Sequence, residues 1–387
     1  MMFKRHKYQW LIGGLIILVS FAIGFAIYST SVKESTTGIS SETVKSQYKI
    51  WEKAYLRGND TQKFVKTNNG TKAQTLSEAQ GYGMLITVMA AQQGFGNQKT
   101  FNQLTNYYLS HRISADNPLM AWRQTQTANK MVSTKAEKTS ATDGDLDIAY
   151  SLILADKKWG SKGKIDYQKL AVDLIQGISK YEINPETSLP KVGDWATGKN
   201  QNVVRTSDLI SAYFREFASY TKDGSWTKTM QNSQKTLKKL SEQHQTGLMA
   251  DFVEVSGSNL DIVATKANQI ASKHDNQYGF NACRIPWRVA YDYQLNHSQV
   301  SKTVGTKLNH FFEKQRKITA IYTLNGKRVE NYENTAFSAP VVYSAEVLNN
   351  QVLKNRYKKV LTTPIPSGDY YPATIQMLVL LAGGSDK

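Results

Sequence analysis

Apolar positions recur along this chain at three- and four-residue spacing for most of its length. Met84, Leu85, Val88 and Met89 form one such stripe, and Ile148, Leu152 and Leu154 another. Leu170, Leu174 and Ile178, four apart and with Val172 between the first two, make a third, and Leu209, Tyr213 and Phe217 a fourth. That spacing lines one side of a 3.6-residue helix, so each segment predicts a helix. Period-two alternation is scarce. The best strand candidate runs from Lys317 to Leu324, ahead of an Asn325-Gly326 turn. Polar, Gly- and Asn-rich connections separate the helices, and no fixed repeat with a shared consensus is present, which argues against an open solenoid. The pattern predicts one all-α domain of ten or more helices arranged as a closed double ring.

The N-terminus breaks this pattern. Lys4, Arg5 and Lys7 precede an uncharged run from Trp10 to Tyr28. Nineteen residues at 1.5 Å rise span about 28 Å, the hydrocarbon thickness of a bilayer. Residues 1–28 are therefore expected to be a hydrophobic helix, either an uncleaved signal anchor or a signal peptide cleaved after small residues such as Gly24 and Ala26. Positive charge ahead of the run favours an exported C-terminal bulk. The expectation is a protein on the extracellular face of a bacterial membrane, held through residues 10–28, or secreted if the leader is removed. Residues 29–46 are Ser/Thr-rich and read as a flexible stalk, leaving 47–387 as the folded domain.

Composition narrows the chemistry. With 40% hydrophobic and 20% charged residues, the 387-residue chain is folded over most of its length. Its 7 Trp, 21 Tyr and 13 Phe supply both core and flat rings for stacking on sugars. The lone Cys283 excludes an internal disulfide and a cysteine-based zinc site. Six scattered His without a His-x-x-x-His pair add no metal site, so no cofactor is expected. The formal net charge of +17 suits an anionic envelope and raises the question of nucleic acid. The lysines are spread along the chain, with short clusters such as 235–239 and no groove-reading motif, so no specific nucleic-acid partner is expected. Nothing requires more than a monomer.

Three segments place acids or arginines among glycines and aromatics. The first is Ser77-Glu78-Ala79-Gln80-Gly81-Tyr82-Gly83-Met84, where the glycines allow close backbone approach to a ligand. A carboxyl beside Tyr82 in an apolar pocket would have the raised pKa of a general acid. The plain alternative is a helix start capped by Ser77. The second is Ala141-Thr142-Asp143-Gly144-Asp145-Leu146-Asp147. Its alternating acids do not complete a calcium loop, because no glutamate follows at the required offset. Capping by Asp143 explains one or two of them. The third is Asp275–Arg288, in which Arg284 and Arg288 are four apart and flank Trp287. Arg284 there suits a carboxylate or a sugar hydroxyl.

Together these segments resemble glycoside hydrolase family 8. The family signature, Ala-Ser/Thr-Asp-Ala/Gly-Asp, two residues, Ile/Met-Ala and finally Ala-x-x-x-Phe/Trp, reads unbroken from Ala141 through Ala155 to Trp159. Further similarity lies at 77–84, 119–122, 193–195, 205–208, 282–288 and Tyr370-Tyr371. The resemblance implies an (α/α)6 barrel with a cleft across one end, and inverting, endo-acting hydrolysis of β-1,4-type linkages in a polysaccharide. It implies Glu78 as general acid, Asp143 as the acid that holds the distorted sugar and supports the water site, and Arg284 beside the base. Tyr82, Trp122, Trp195 and Tyr278 are the candidates for sugar stacking.

At the base the chain departs from the family pattern. Many members have Asp where Asn281 stands, and asparagine does not accept a proton at neutral pH. One subfamily shares this Asn and takes its base from a Glu ten residues upstream, which here is Ala271. Asp275 is the nearest replacement, with Asp261, Glu254 and His274 further choices. If none serves, the chain is a glycan-binding protein with an impaired site. Among family substrates, cationic chitosan fits a basic domain poorly, which favours a β-glucan or exopolysaccharide.

Overall fold

In the computed structural model, residues 38–384 are described. The expected hydrophobic leader lies outside them, as does part of the stalk. Among the described residues no helix is long and apolar enough to cross a membrane. The stalk ends earlier than expected. Helix α1 occupies Ser41–Tyr55, capped by the Ser40 side chain. Its Val44, Tyr48, Trp51 and Tyr55 recur at helical spacing and are buried, so this segment belongs to the domain.

Among the described residues twelve further helices follow: α2 (Ser77–Gln92), α3 (Gln98–Ser110), α4 (Thr142–Trp159), α5 (Tyr167–Tyr181), α6 (Ser211–Thr221), α7 (Ser225–Gln243), α8 (Ile285–Asn296), α9 (Gln299–Glu313), α10 (Thr335–Val347), α11 (Gln351–Tyr357), α12 (Lys359–Thr362) and α13 (Tyr370–Ala382). Burial sorts them into two rings. Helix α4 is buried continuously from Thr142 to Ala155, and α10 from Ala336 to Val347. Helix α7 instead buries one stripe, including Trp226, Met230, Leu237 and Leu240, and turns lysines outward. The inner helices α2, α4, α6, α8, α10 and α13 each pack on the next, and α13 closes on α2. The partners α1, α3, α5, α7, α9 and α11/α12 lie against them from outside. This is an (α/α)6 barrel.

Connection lengths are unequal. Turns from an inner helix to the next outer one take two to seven residues. Five of the six returns from an outer helix to an inner one take 21 to 41 residues. The long loops therefore gather at the N-terminal end of the inner helices. They carry three small antiparallel sheets: β1 (Leu56–Gly58) with β2 (Lys63–Val65); β3 (Gln74–Leu76), β4 (Arg123–Thr127) and β5 (Lys130–Val132); and β6 (Val203–Arg205), β7 (Phe252–Ser256) and β8 (Asp261–Ala264). The expected strand at 317–324 does not form. Thr319 and Tyr322 make isolated bridges, and Ile321, at φ 53°, breaks the extended run.

Two glycines set the spacing of the ring at the end where the long loops gather. A Cβ on Gly144 would lie 2.5 Å from Ser77 Oγ and 2.7 Å from the Glu78 nitrogen. One on Gly81 would lie 2.8 Å from the Gly144 carbonyl oxygen. These glycines thus bring α2 and α4 together rather than admitting a ligand, which corrects the expectation for the Gly-Tyr-Gly segment. Gly144→Ala must push the helices apart. The expected cost is ~1–3 kcal/mol of stability, read as a lower denaturant midpoint, with activity falling further than stability alone requires.

Candidate active site

Both glycine-packed helices begin with an acid, and α8 begins beside an arginine. Glu78 sits in the first turn of α2, where no side chain caps the helix and Ser77 Oγ has no partner. Asp143 occupies the corresponding turn of α4, also uncapped. Arg284 immediately precedes α8 and is buried. Its Nη1 donates to Tyr82 Oη at 2.8 Å, Asp143 Oδ2 at 3.1 Å and Glu78 Oε2 at 3.2 Å. Nη2 donates to Asn281 Oδ1 at 3.1 Å. Arg205, at the end of β6, reaches Asp143 Oδ1 at 2.9 Å and Asp208 Oδ2 at 3.0 Å.

The two acids respond oppositely to these surroundings. Burial pushes the Glu78 carboxyl up to about 7, against the pull of Arg284 and with help from the charge of Asp143. Burial would raise Asp143 too, but Arg205 and Arg284 outweigh it and hold the carboxyl below its ordinary range. One group is thus a proton donor near neutrality and the other a fixed anion, the division of labour that paired carboxyls need. Asp208 is pushed by burial up to about 6.

The three alternating acids of α4 diverge because positions two apart on a helix point to opposite sides. Asp143 faces the arginines. Asp145 turns away to accept the Met120 N–H, and burial beside Glu182 raises it well above the usual range. Asp147, one turn below Asp143, takes Arg288 Nη2 at 2.7 Å and the Tyr213 hydroxyl at 2.7 Å.

Glu78 opens into a pocket of about 480 Å³ lined also by Phe280, Asn281, Tyr332, Asn334, Asp369, Tyr371 and Pro372. Of the four aromatic candidates, Trp195 is 40% exposed and Trp122 half-buried. Tyr82 and Tyr278 are fully buried, so neither can stack on a sugar. Tyr82 receives the Arg284 hydrogen bond. Tyr278 packs among Phe312, Tyr322 and Phe337. Sequence reading missed the pocket's own rings, Phe280, Tyr332 and Tyr371, of which Tyr332 is 49% exposed. Tyr371 was visible only as part of a family-like pair.

The choice of base also needs correction. Asp275 is buried, and its carboxylate accepts the backbone N–H groups of Ile270, Ala271 and Ser272, so it holds the 270–275 loop together. Asp261 lines a separate surface groove with Lys239 and Glu242. Glu254 accepts from Gln269, and His274 Nδ1 contacts Gln277 Oε1 at 2.8 Å. None of these four lines the Glu78 pocket.

A model of glycosyl hydrolases family 8 matches residues 25–385. The chain belongs to that family. A β-glucanase of Niallia circulans is 32% identical over 365 residues, covering 91% of this chain and 87% of that protein. An endoglucanase of Bacillus sp. strain KSM-330 is 32% identical over 320 residues, covering 78% and 67%. Among solved structures, an apo β-1,3-1,4-glucanase from Paenibacillus sp. X4 shares 31% identity at a TM-score of 0.81, over 90% of this chain and 94% of that one. A cold-adapted family 8 xylanase, 18% identical with a TM-score of 0.74, shares the fold. This chain is a glycosidase of family 8, and its polysaccharide-degrading role follows from that membership.

A general acid works only while protonated. Glu78 loses its proton as pH rises through about 7, so turnover that draws on this proton should fall tenfold per pH unit above that value. Glu78→Gln should abolish this limb and lower kcat by about 10²–10⁴-fold. Arg284→Met leaves Asp143 and Glu78 buried with one cation fewer. The expected loss is ~3–5 kcal/mol of stability, measured by denaturant unfolding.

Proposed function

We propose that this family 8 enzyme is an endo-acting, inverting hydrolase of β-1,4-linked glucan, mixed β-1,3-1,4-glucan included. The observation that carries the reading is the pairing of Glu78, which lines the pocket, with the buried Asp143 across Arg284. In such a mechanism Glu78 protonates the leaving glycosidic oxygen while a water attacks the anomeric carbon from the opposite face. Asp143, kept ionised by Arg205 and Arg284, stabilises positive charge developing on the sugar ring. Tyr332, Phe280 and Tyr371 offer apolar faces along the pocket for neighbouring sugars.

The names of the relatives, β-glucanase and endoglucanase, support a glucan over other polymers. The net charge of +17 supports a neutral or acidic polymer over a cationic one. Export, with tethering through residues 10–28 or release after cleavage, is supported by the basic flank and the uncharged run that follows it.

The test is reducing-end release by the purified chain from mixed-linkage β-glucan, carboxymethyl-cellulose, xylan and chitosan, beside Glu78→Gln. The expected result is activity on the two glucans that Glu78→Gln removes, with the α-anomer appearing first by NMR. A β-anomer first would refute inversion. Preference for chitosan would refute the charge argument. Binding to glucan without turnover would make the chain a glycan-binding protein.

A further inference from the structure

We propose that Asp251 acts as the catalytic base at one remove, receiving the proton of the attacking water through the side-chain amide of Asn281. The inference rests on the glycosidase reading above and concerns how that reaction activates its water.

Asn281 is the polar group of the pocket that is gripped from both ends. Its Oδ1 accepts from Arg284 Nη2 at 3.1 Å, and its Nδ2 donates to Asp251 Oδ2 at 3.1 Å. A cation on the oxygen and an anion at the nitrogen favour the charge-separated form of the amide, with more negative charge on Oδ1. They also fix which end of the amide is which. Oδ1 keeps one lone pair beyond the Arg284 bond, and Asn281 is half-buried at the pocket wall, so a pocket water can donate to it.

Asp251 itself is out of reach of substrate. It is 3% exposed, directly before β7, and its backbone N–H pairs with the Gln277 carbonyl. Oδ1 accepts three backbone N–H groups, from Gly279, Asn281 and Ala282, at 2.9, 3.1 and 2.7 Å. Gly279 has no room for a side chain, since a Cβ there would lie 2.5 Å from Asp251 Oδ2. That oxygen is thus reserved for the Asn281 amide. Burial pushes the Asp251 carboxyl up to about 6, despite those hydrogen bonds, which makes it a better proton acceptor than an exposed aspartate. Asp369, which lines the pocket with Glu78, caps nothing with its side chain and lies outside the Arg284 cluster.

The proton balance is closed. As the water oxygen bonds to the anomeric carbon, the bond to the leaving oxygen breaks and that oxygen takes the Glu78 proton. The water proton passes to Asn281 Oδ1 while an Nδ2 proton passes to Asp251 Oδ2. Asn281 is left as the imidic acid and Asp251 neutral. Asp251 then returns its proton to Nδ2, Oδ1 releases one to solvent, and Glu78 regains one from solvent.

Asp251 is therefore a positioning and relay residue, and its test needs a readout that lost structure would not restore. Azide attacks the anomeric carbon without a base. Asp251→Asn should lower kcat by about 10²–10⁴-fold with KM unchanged, and azide should recover turnover with the α-glycosyl azide as product. Adding Asn281→Asp to Asp251→Asn should restore hydrolysis without azide, by placing a carboxylate at the pocket wall. Asn281→Ala, which leaves Asp251 and its backbone bonds in place, should show the same azide rescue and covers the case in which Asp251→Asn fails to fold. Hydrolysis by Asp251→Asn or Asn281→Ala at the parental rate, with Glu78→Gln inactive, would overturn the relay alone. Azide rescue confined to Asp369→Asn would assign the base to that residue instead. A parent protein inactive on every glucan would overturn both this inference and the reading beneath it.

Discussion

A single buried guanidinium holds the active end of this barrel together. Unpaired, the charge of Arg284 would be prohibitively expensive to bury. Its bonds to Glu78, Tyr82, Asp143 and Asn281 offset that cost, and those partners come from α2, α4 and the segment before α8. The same contacts fix the protonation pattern. Arg205 and Arg284 carry two positive charges against Asp143, Asp208 and Glu78. Charge balance is met when one of the three acids is neutral, and Glu78, the one open to the pocket, is pushed up to about 7. The arginines thus hold Asp143 ionised, while burial and the Asp143 charge, against their pull, keep a proton on Glu78 near neutrality.

That charge cluster is possible only because the backbones beside it are bare. Gly81 and Gly144 let α2 and α4 approach until the first turns of the two helices nearly touch. With their N-termini side by side, both acids also lie in the positive field of the helix ends. Loop economy follows from the same geometry. Short turns close the far end, while the long connections spend their residues on the β-sheets and aromatic walls around Glu78.

Much of this was legible in the sequence, for identifiable reasons. Helical periodicity reports burial directly, so the double ring could be read from apolar stripes alone. Glu78, Asp143 and Arg284 stand in local motifs that survive without knowledge of the fold. What was missed depends on contacts distant in sequence. Asp251 sits in an unremarkable Ala-Asp-Phe stretch, and its meaning comes from Asn281, thirty residues away. Asp275 looked like a base because it was near; its backbone hydrogen bonds, invisible in sequence, commit it to its own loop. Tyr82 and Tyr278 stand beside glycines in the sequence, but a buried ring and a stacking ring share the same letter. The stalk boundary was a readable error, since Val44, Tyr48, Trp51 and Tyr55 already carry the helical spacing.

The ring is sealed by its first and last helices. Trp51 Nε1 bonds Thr374 Oγ1 at 3.0 Å, Gln47 reaches the carbonyls of Thr362 and Thr363, and the Tyr55 hydroxyl reaches that of Pro366. Helix α13 also brings Tyr370 to 3.5 Å from Glu78 and Tyr371 to the pocket wall. A nascent chain therefore has no complete pocket around Glu78 until α13 has been made and has docked. Any product truncated before Tyr370 lacks one wall of the pocket and is born catalytically silent.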